Sequence, residues 1–141
     1  MIEPIKLIVS GETPSKKNSR ITLRNGQNIP SKRYTEWHKN AVAELSGQWL
    51  EYGFGTIERE VRIYLHFFHS DNRRRDSDNG VSSIFDTLQD CGIISDDRWQ
   101  IIRNFKVENS KSTIARCELE IMEIEGDNTA LKTLTDARGL P

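Results

Sequence analysis

The stretch from Val61 to Cys91 constrains this chain more than any other. Val61, Ile63, Leu65 and Phe67 alternate with Arg62, Tyr64, His66 and Phe68. That is the two-residue period of a strand, with enough apolar character on both faces for a strand mostly covered on each side. A polar loop, Ser70 to Arg75, follows. Apolar residues then recur at Val81, Ile84, Phe85, Leu88 and Cys91, a helical stripe that Gly92 closes as the residue past the helix end. With Phe105 and Val107 marking a further strand, the segment is long enough for a βαβ-type crossover onto a parallel neighbour.

The flanking sequence fits around this unit. Ile5 to Val9 reads as a short strand ended by Ser10-Gly11, and Thr13 to Arg20 is a polar basic loop. Asn25-Gly26, between Ile21-Thr22-Leu23 and Asn28-Ile29, is a two-residue hairpin signal. Ser31 is placed to cap a helix whose apolar face is Tyr34, Trp37, Ala41, Leu45 and Trp49, fading near Gly53. Tyr34 and Trp37 belong in the core or an interface rather than on exposed bases. Ser95-Asp96-Asp97 is expected to start one short helical turn through Trp99, and a turn is expected at Asn109-Ser110. A last strand runs through Ala115, Cys117, Leu119 and Ile121. The fold class is therefore α/β (α+β), a two-layer domain of helices on a mixed sheet. Residues 1–125 read as one domain. Residues 126–141 read as a tail that either packs as a short helix (Ala130 to Ala137) or stays mobile.

At 141 residues the chain suits one domain. No apolar run nears the roughly 20 residues of a membrane span, and the N-terminus lacks the layout of a signal peptide. A cytoplasmic protein without a membrane part is expected. Cys91 and Cys117 make neither a zinc site nor a disulfide framework and read as buried thiols. The net charge of −1 conceals an asymmetry. Residues 1–40 hold eight Lys/Arg against three Asp/Glu, a net of +5, and residues 117–141 hold two against six, a net of −4. A basic front half suits a polyanion partner, although it suits plain solvated surface as well.

The chemistry concentrates in Arg73-Arg74-Arg75-Asp76-Ser77-Asp78-Asn79, followed by Asp96-Asp97. Asp76 and Asp78, two apart in an extended segment, face the same way. Paired hard oxygen donors suit Mg²⁺, and the arginines suit a phosphodiester. Other readings stay open: Asp78 and Asp96 as ordinary helix N-caps, and Asp76 with Asp78 as a salt-bridge cluster with the three arginines.

This stretch resembles the RusA family of Holliday-junction resolvases, small phage and bacterial (often prophage) endonucleases. The family pattern is an Arg-rich loop, Asp-x-Asp-Asn, a helix with Phe-Asp-x-Leu, a glycine and a paired aspartate. Here these are Arg73 to Asn79, Phe85-Asp86-Thr87-Leu88, Gly92 and Asp96-Asp97, in register throughout. Pro14-Ser15-Lys16-Lys17-Asn18 is similar to the family's Pro-Ser-x-Asn loop. The resemblance implies a homodimeric, Mg²⁺-dependent endonuclease of recombination and repair that cuts four-way DNA junctions, with Mn²⁺ as an alternative ion. It implies Asp76, Asp78 and Asp97 as ligands, with Asp96 as a further candidate. The family's helix lysine, four residues after Asp-x-Asp, is Ser82 here. Lys16, Lys17, Arg75 or Lys106 would have to replace it, or the chain is a junction-binding protein with weak or no cleavage. A carboxylate-rich domain acting on a small molecule is a third reading. Lys16, Lys17, Arg20, Arg24, Lys32 and Arg33, with Arg73, Arg74 and Arg75, form the expected DNA-binding set.

Overall fold

The computed structural model describes residues 3–124. The expected tail helix and the domain boundary at 125 lie outside them. The elements follow the order read from the sequence: strand β1 (Ile5–Ser10), hairpin β2 (Arg20–Thr22) and β3 (Asn28–Pro30), helix α1 (Lys32–Tyr52), β4 (Val61–His69), helix α2 (Val81–Asp90), β5 (Ile102–Lys111) and β6 (Arg116–Glu123). Four strands form one sheet in the order β1-β6-β4-β5, and the hairpin stands apart as a two-stranded ribbon. The sheet is mixed. β4 and β5 are parallel, from Val61 opposite Ile102 to His69 opposite Lys111, while β6 runs antiparallel to both β4 and β1. The β4–α2–β5 crossover is the expected βαβ unit.

The core lies between this sheet and the two helices. Leu7, Val9, Ile63, Leu65, Leu119 and Ile121 face Leu45, Ile84 and Leu88, all but fully buried. The whole predicted α1 stripe, Tyr34 and Trp37 included, lies in that core. Ser31 caps α1 by accepting from the Tyr34 N–H at 3.2 Å, and Gly53 ends it at φ 74°. Both ends therefore match their sequence signals. Cys117 is buried and Cys91 half-buried, and burial raises both thiols above their ordinary pKa.

Four local expectations are corrected. The Asn25-Gly26 turn is a three-residue loop. The Gly26 N–H donates to Leu23 O (2.8 Å), the Leu23 N–H donates to Gln27 O (2.7 Å), and Gly26 sits at φ 88°, as a type I turn followed by a left-handed residue requires. β4 is fully buried on one face and only partly covered on the other. Ser95 to Trp99 forms no helix: the Asp96 carboxylate accepts from the Arg98 N–H at 3.1 Å and bonds the Arg98 guanidinium at 2.9 Å, so this side chain closes its own turn. β5 runs through Asn109-Ser110 to Lys111, and the chain turns after it, where the Ser112 N–H bonds His69 O. Pairing with the long β4 edge outweighs the local turn preference of Asn and Ser.

Candidate active site

α2 does not begin on Asp78. Its N-cap is Gly80, with no side-chain cap, and the Asp78 carbonyl accepts from the Val81 N–H while its carboxylate does not cap the helix. Gly80 is there for lack of space. A Cβ would stand 2.7 Å from Thr13 Cγ2 and 2.9 Å from Phe67 Cε1. This close approach locks the loop after β1 against the start of α2. Ser83 ties the same two segments, donating to Pro14 O at 2.6 Å and accepting from the Lys16 N–H at 3.0 Å. The basic loop thus lies beside the helix that follows Asp78.

The alternative reading, a salt-bridge cluster of Asp76 and Asp78 with the arginines, is not what forms. Arg75 is half-buried and turns away, to Asp71 (2.8 Å) and Glu12 (3.2 Å). Its guanidinium holds the Asp71 carboxyl well below the usual carboxylate range. Arg73 and Arg74 are exposed. Asp76, Asp78 and Asp97 are all exposed, and none receives a hydrogen bond or ion pair on its carboxylate from any described residue. Their acidic neighbours Glu12, Asp71 and Asp96 all have cationic partners. Asp96 is therefore engaged with Arg98, whose hydrogen bond lowers its pKa.

One network was not legible in the sequence. His69, at the end of β4, lies between Glu12 Oε2 (2.7 Å from Nδ1) and Asn109 Oδ1 (2.7 Å from Nε2). Asn109 in turn donates from Nδ2 to Ser77 O at 2.9 Å. That carbonyl can only accept, which fixes the amide orientation and assigns a proton to His69 Nε2. The chain Glu12–His69–Asn109 thus anchors the peptide between Asp76 and Asp78. Glu12 Oε1 is buried without a partner. The only hint in the sequence is that Glu12 is the sole acid between Lys6 and Lys32. Asp76 borders an open groove of about 450 Å³ with Arg73, Asn109 and Lys111.

The other basic residues are placed variously. Lys16 reaches α2 and pairs with Asp86, one turn beyond Ser82, and that hydrogen bond raises the pKa of its ammonium. Arg20 is bound across the hairpin to Asn28, and Lys32 lies 3.8 Å from Glu36. Lys17, Arg24 and Arg33 are exposed. Ser82 is exposed on α2 between buried Val81 and Ser83. Lys106 sits over the Tyr64 ring on β5. Among the described residues no three His, Cys, Asp or Glu side chains stand close enough together to hold a metal ion, and no helix is long and apolar enough to cross a membrane.

Comparison with known proteins bears on the whole arrangement. The crossover junction endodeoxyribonuclease RusA of Aquifex aeolicus (strain VF5) is 26% identical over 115 residues, 80% of this chain and 89% of its own length. The family described as endodeoxyribonuclease RusA matches residues 11–122. That match runs from the turn after β1 into β6 and takes in the Asp76–Asp78 loop, α2 and Asp97 alike, so the chain belongs to the RusA family of endodeoxyribonucleases.

Proposed function

We propose that this chain is a magnesium-dependent nuclease that cuts four-way DNA junctions in recombination and repair, acting in the cytoplasm as a homodimer. The observation that carries the reading is the state of three carboxylates. Asp76, Asp78 and Asp97 stay without partners, although Arg73 and Arg74 lie close in sequence to the first two and Arg98 follows the third. Exposed, unpaired hard oxygen donors are what Mg²⁺ or Mn²⁺ takes, so the donor chemistry fits the ion. When bound, such an ion supplies Lewis acidity that activates water and offsets charge on a phosphate oxygen. The chain's own residues do the rest. Asp76, Asp78 and Asp97 would hold the ion, and one of these carboxylates would accept the proton of the attacking water. The Asn109 hydrogen bond to Ser77 O restrains the Asp76-Ser77-Asp78 peptide and so lowers the ordering that the reacting complex requires. Lys17, Arg24, Arg33, Arg73 and Arg74 are exposed and would follow the phosphate backbones. Junction selectivity would come from shape, with two sites meeting symmetry-related strands.

Lys16 is the cation best placed to stand in for the lysine absent at position 82. It alone among Lys16, Lys17, Arg75 and Lys106 is paired on the outer face of α2, whereas Arg75 is held by Asp71 and Glu12. The competing reading, a junction binder with weak or no cleavage, rests on Ser82. A labelled four-way junction, incubated with and without Mg²⁺, separates the two. Metal-dependent, symmetrically placed cuts that disappear in Asp76→Asn, Asp78→Asn and Asp97→Asn while binding persists support the nuclease. Tight binding with no cuts under any divalent metal supports the binder.

A further inference from the structure

We infer that Trp99 is a stacking platform for one unpaired nucleobase of branched DNA, and that this contact lets the chain tell a junction from an intact duplex. The inference rests on the junction-cutting reading proposed above and names a side chain that gives it selectivity. Among the described residues four aromatic side chains are exposed: Tyr52, Phe54, Trp99 and Phe105. Three of them have ring partners. Tyr52 and Phe54 pack against Trp49, at 6.0 and 5.8 Å between centroids, and against each other at 5.7 Å. Phe105 meets Phe85 in a T-shaped contact at 5.2 Å. Trp99 is 68% exposed, the most of the four, and has no ring, cation or hydrogen-bond partner among the described residues. An indole left bare forgoes the burial of roughly 150–250 Å² of aromatic surface.

The backbone holds this ring out from the fold. Arg98 O accepts from the Ile101 and Ile102 N–H groups, each at 2.9 Å, so Trp99 and Gln100 are the tip of a closed turn. Asp96 stiffens the entry, its carboxylate bonding both the N–H and the guanidinium of Arg98. Ile101 and Ile102 are buried and anchor the exit. A ring presented this way loses little freedom when something stacks on it. Its surroundings select the occupant. Asp97, Arg98 and Gln100 are all exposed, so the indole is a single flat apolar surface on a polar tip. A stable protein partner covers about 800 Å² on each side, several times the area of one ring. A nucleobase matches the ring in size and flatness, and every base has a π-face to offer. Inside a duplex both faces of a base are covered by its neighbours, whereas a branch point interrupts the stack and bares them. Asp97 lies two residues before Trp99, so DNA that reaches this carboxylate passes within reach of the indole. The turn leads into β5 at Ile102, opposite Val61, while Asn109 near the other end of β5 holds the Asp76–Asp78 loop through Ser77 O. Trp99 can therefore be changed without disturbing that loop.

Intrinsic fluorescence reads the contact directly. The other two tryptophans, Trp37 and Trp49, are 8% and 7% exposed, so acrylamide and stacking bases quench chiefly Trp99. The protein is titrated in EDTA with a four-way junction and with a duplex of the same arm sequence. Affinities of wild type, Trp99→Ala and Trp99→Phe are measured in parallel. Stacking predicts that the junction quenches the acrylamide-accessible emission and that saturating duplex does not. Trp99→Ala should bind the junction roughly 10-fold more weakly, the worth of one base–aromatic stack, at unchanged duplex affinity. Trp99→Phe should keep most of the preference, and both variants should keep the wild-type Tm, since the ring has no contact to lose. A Trp99→Ala chain that keeps its junction preference, or that loses junction and duplex affinity equally, overturns the inference and leaves the junction reading intact. Quenching that grows with protein concentration in the absence of DNA means that a second copy covers the ring, and it also overturns the inference. A wild-type chain that binds the junction no more tightly than the duplex overturns both.

Discussion

Gly80→Ala tests whether the Asp76–Asp78 loop is held by packing. The added methyl group would meet Thr13 Cγ2 at 2.7 Å, Phe67 Cε1 at 2.9 Å and Thr13 Cβ at 3.0 Å. Thr13 and Phe67 are each 3% exposed, so neither has free space to move into. Overpacking of this kind costs about 1–3 kcal/mol. Replacing glycine at a φ of −101°, where alanine is unstrained, returns roughly 0.4–1 kcal/mol by restricting the unfolded chain. The net loss of about 1–2 kcal/mol lowers Tm by roughly 4–8 °C in a domain of this size. Thermal melts followed by circular dichroism read the shift directly. The Thr13→Ser, Gly80→Ala double variant lacks the nearest methyl group and should recover part of the loss, a coupling of about 1 kcal/mol for residues in contact. Additive losses would place the clash elsewhere, and an unchanged Tm in the single variant would refute the packing argument.

Three further outcomes are expected. Junction affinity should fall steeply with salt, and Lys17→Ala should reduce the slope of log K against log salt by about 1; an unchanged slope would put the phosphate contacts away from this loop. Lys16→Ala should act less on that slope, because Asp86 already balances Lys16. Ser82→Lys should keep the fold, since position 82 is exposed, and raise the cleavage rate on the order of 10²-fold; tighter binding at an unchanged rate would mean that a cation already fills the role. The Arg75 pairing depresses the folded-state pKa of Asp71, so it stabilises the fold fully above the unfolded value near 4 and is lost only as pH falls through the lower folded value. Carboxyl NMR should show Asp71 still ionised at pH 3; a midpoint near 4 would mean the pair is absent in solution.

The order of elements was legible because each carries its own period. The β4 alternation, the stripes of α1 and α2, and the stops at Gly53 and Gly92 are all local signals, and the structure follows them. The misread places are those where a distant partner decides. Asn109-Ser110 reads as a turn until β4 is there to pair with it. Asp78 reads as a helix cap until the packing of Thr13 against Gly80 moves the helix start. Arg75 reads as a phosphate contact, yet Glu12, far back in the chain, claims it. The motif spacing from Asp76 to Asp97 carries no direction, so the sequence could not show that α2 sets the two at opposite ends of β5. His69 had no signal of its own, since a lone His at a strand end is an ordinary surface residue, and the only signal at Asn109 was the misread turn.

The central claim is that Asp76, Asp78 and Asp97 hold one divalent ion. Anomalous scattering at the manganese edge from Mn²⁺-soaked crystals tests it most directly. The account predicts a peak with carboxylate oxygens of Asp76, Asp78 and Asp97 within about 2.0–2.3 Å, lost in the Asp78→Asn chain. A peak that excludes Asp97, or one that sits on Asp71 and Glu12, would contradict it.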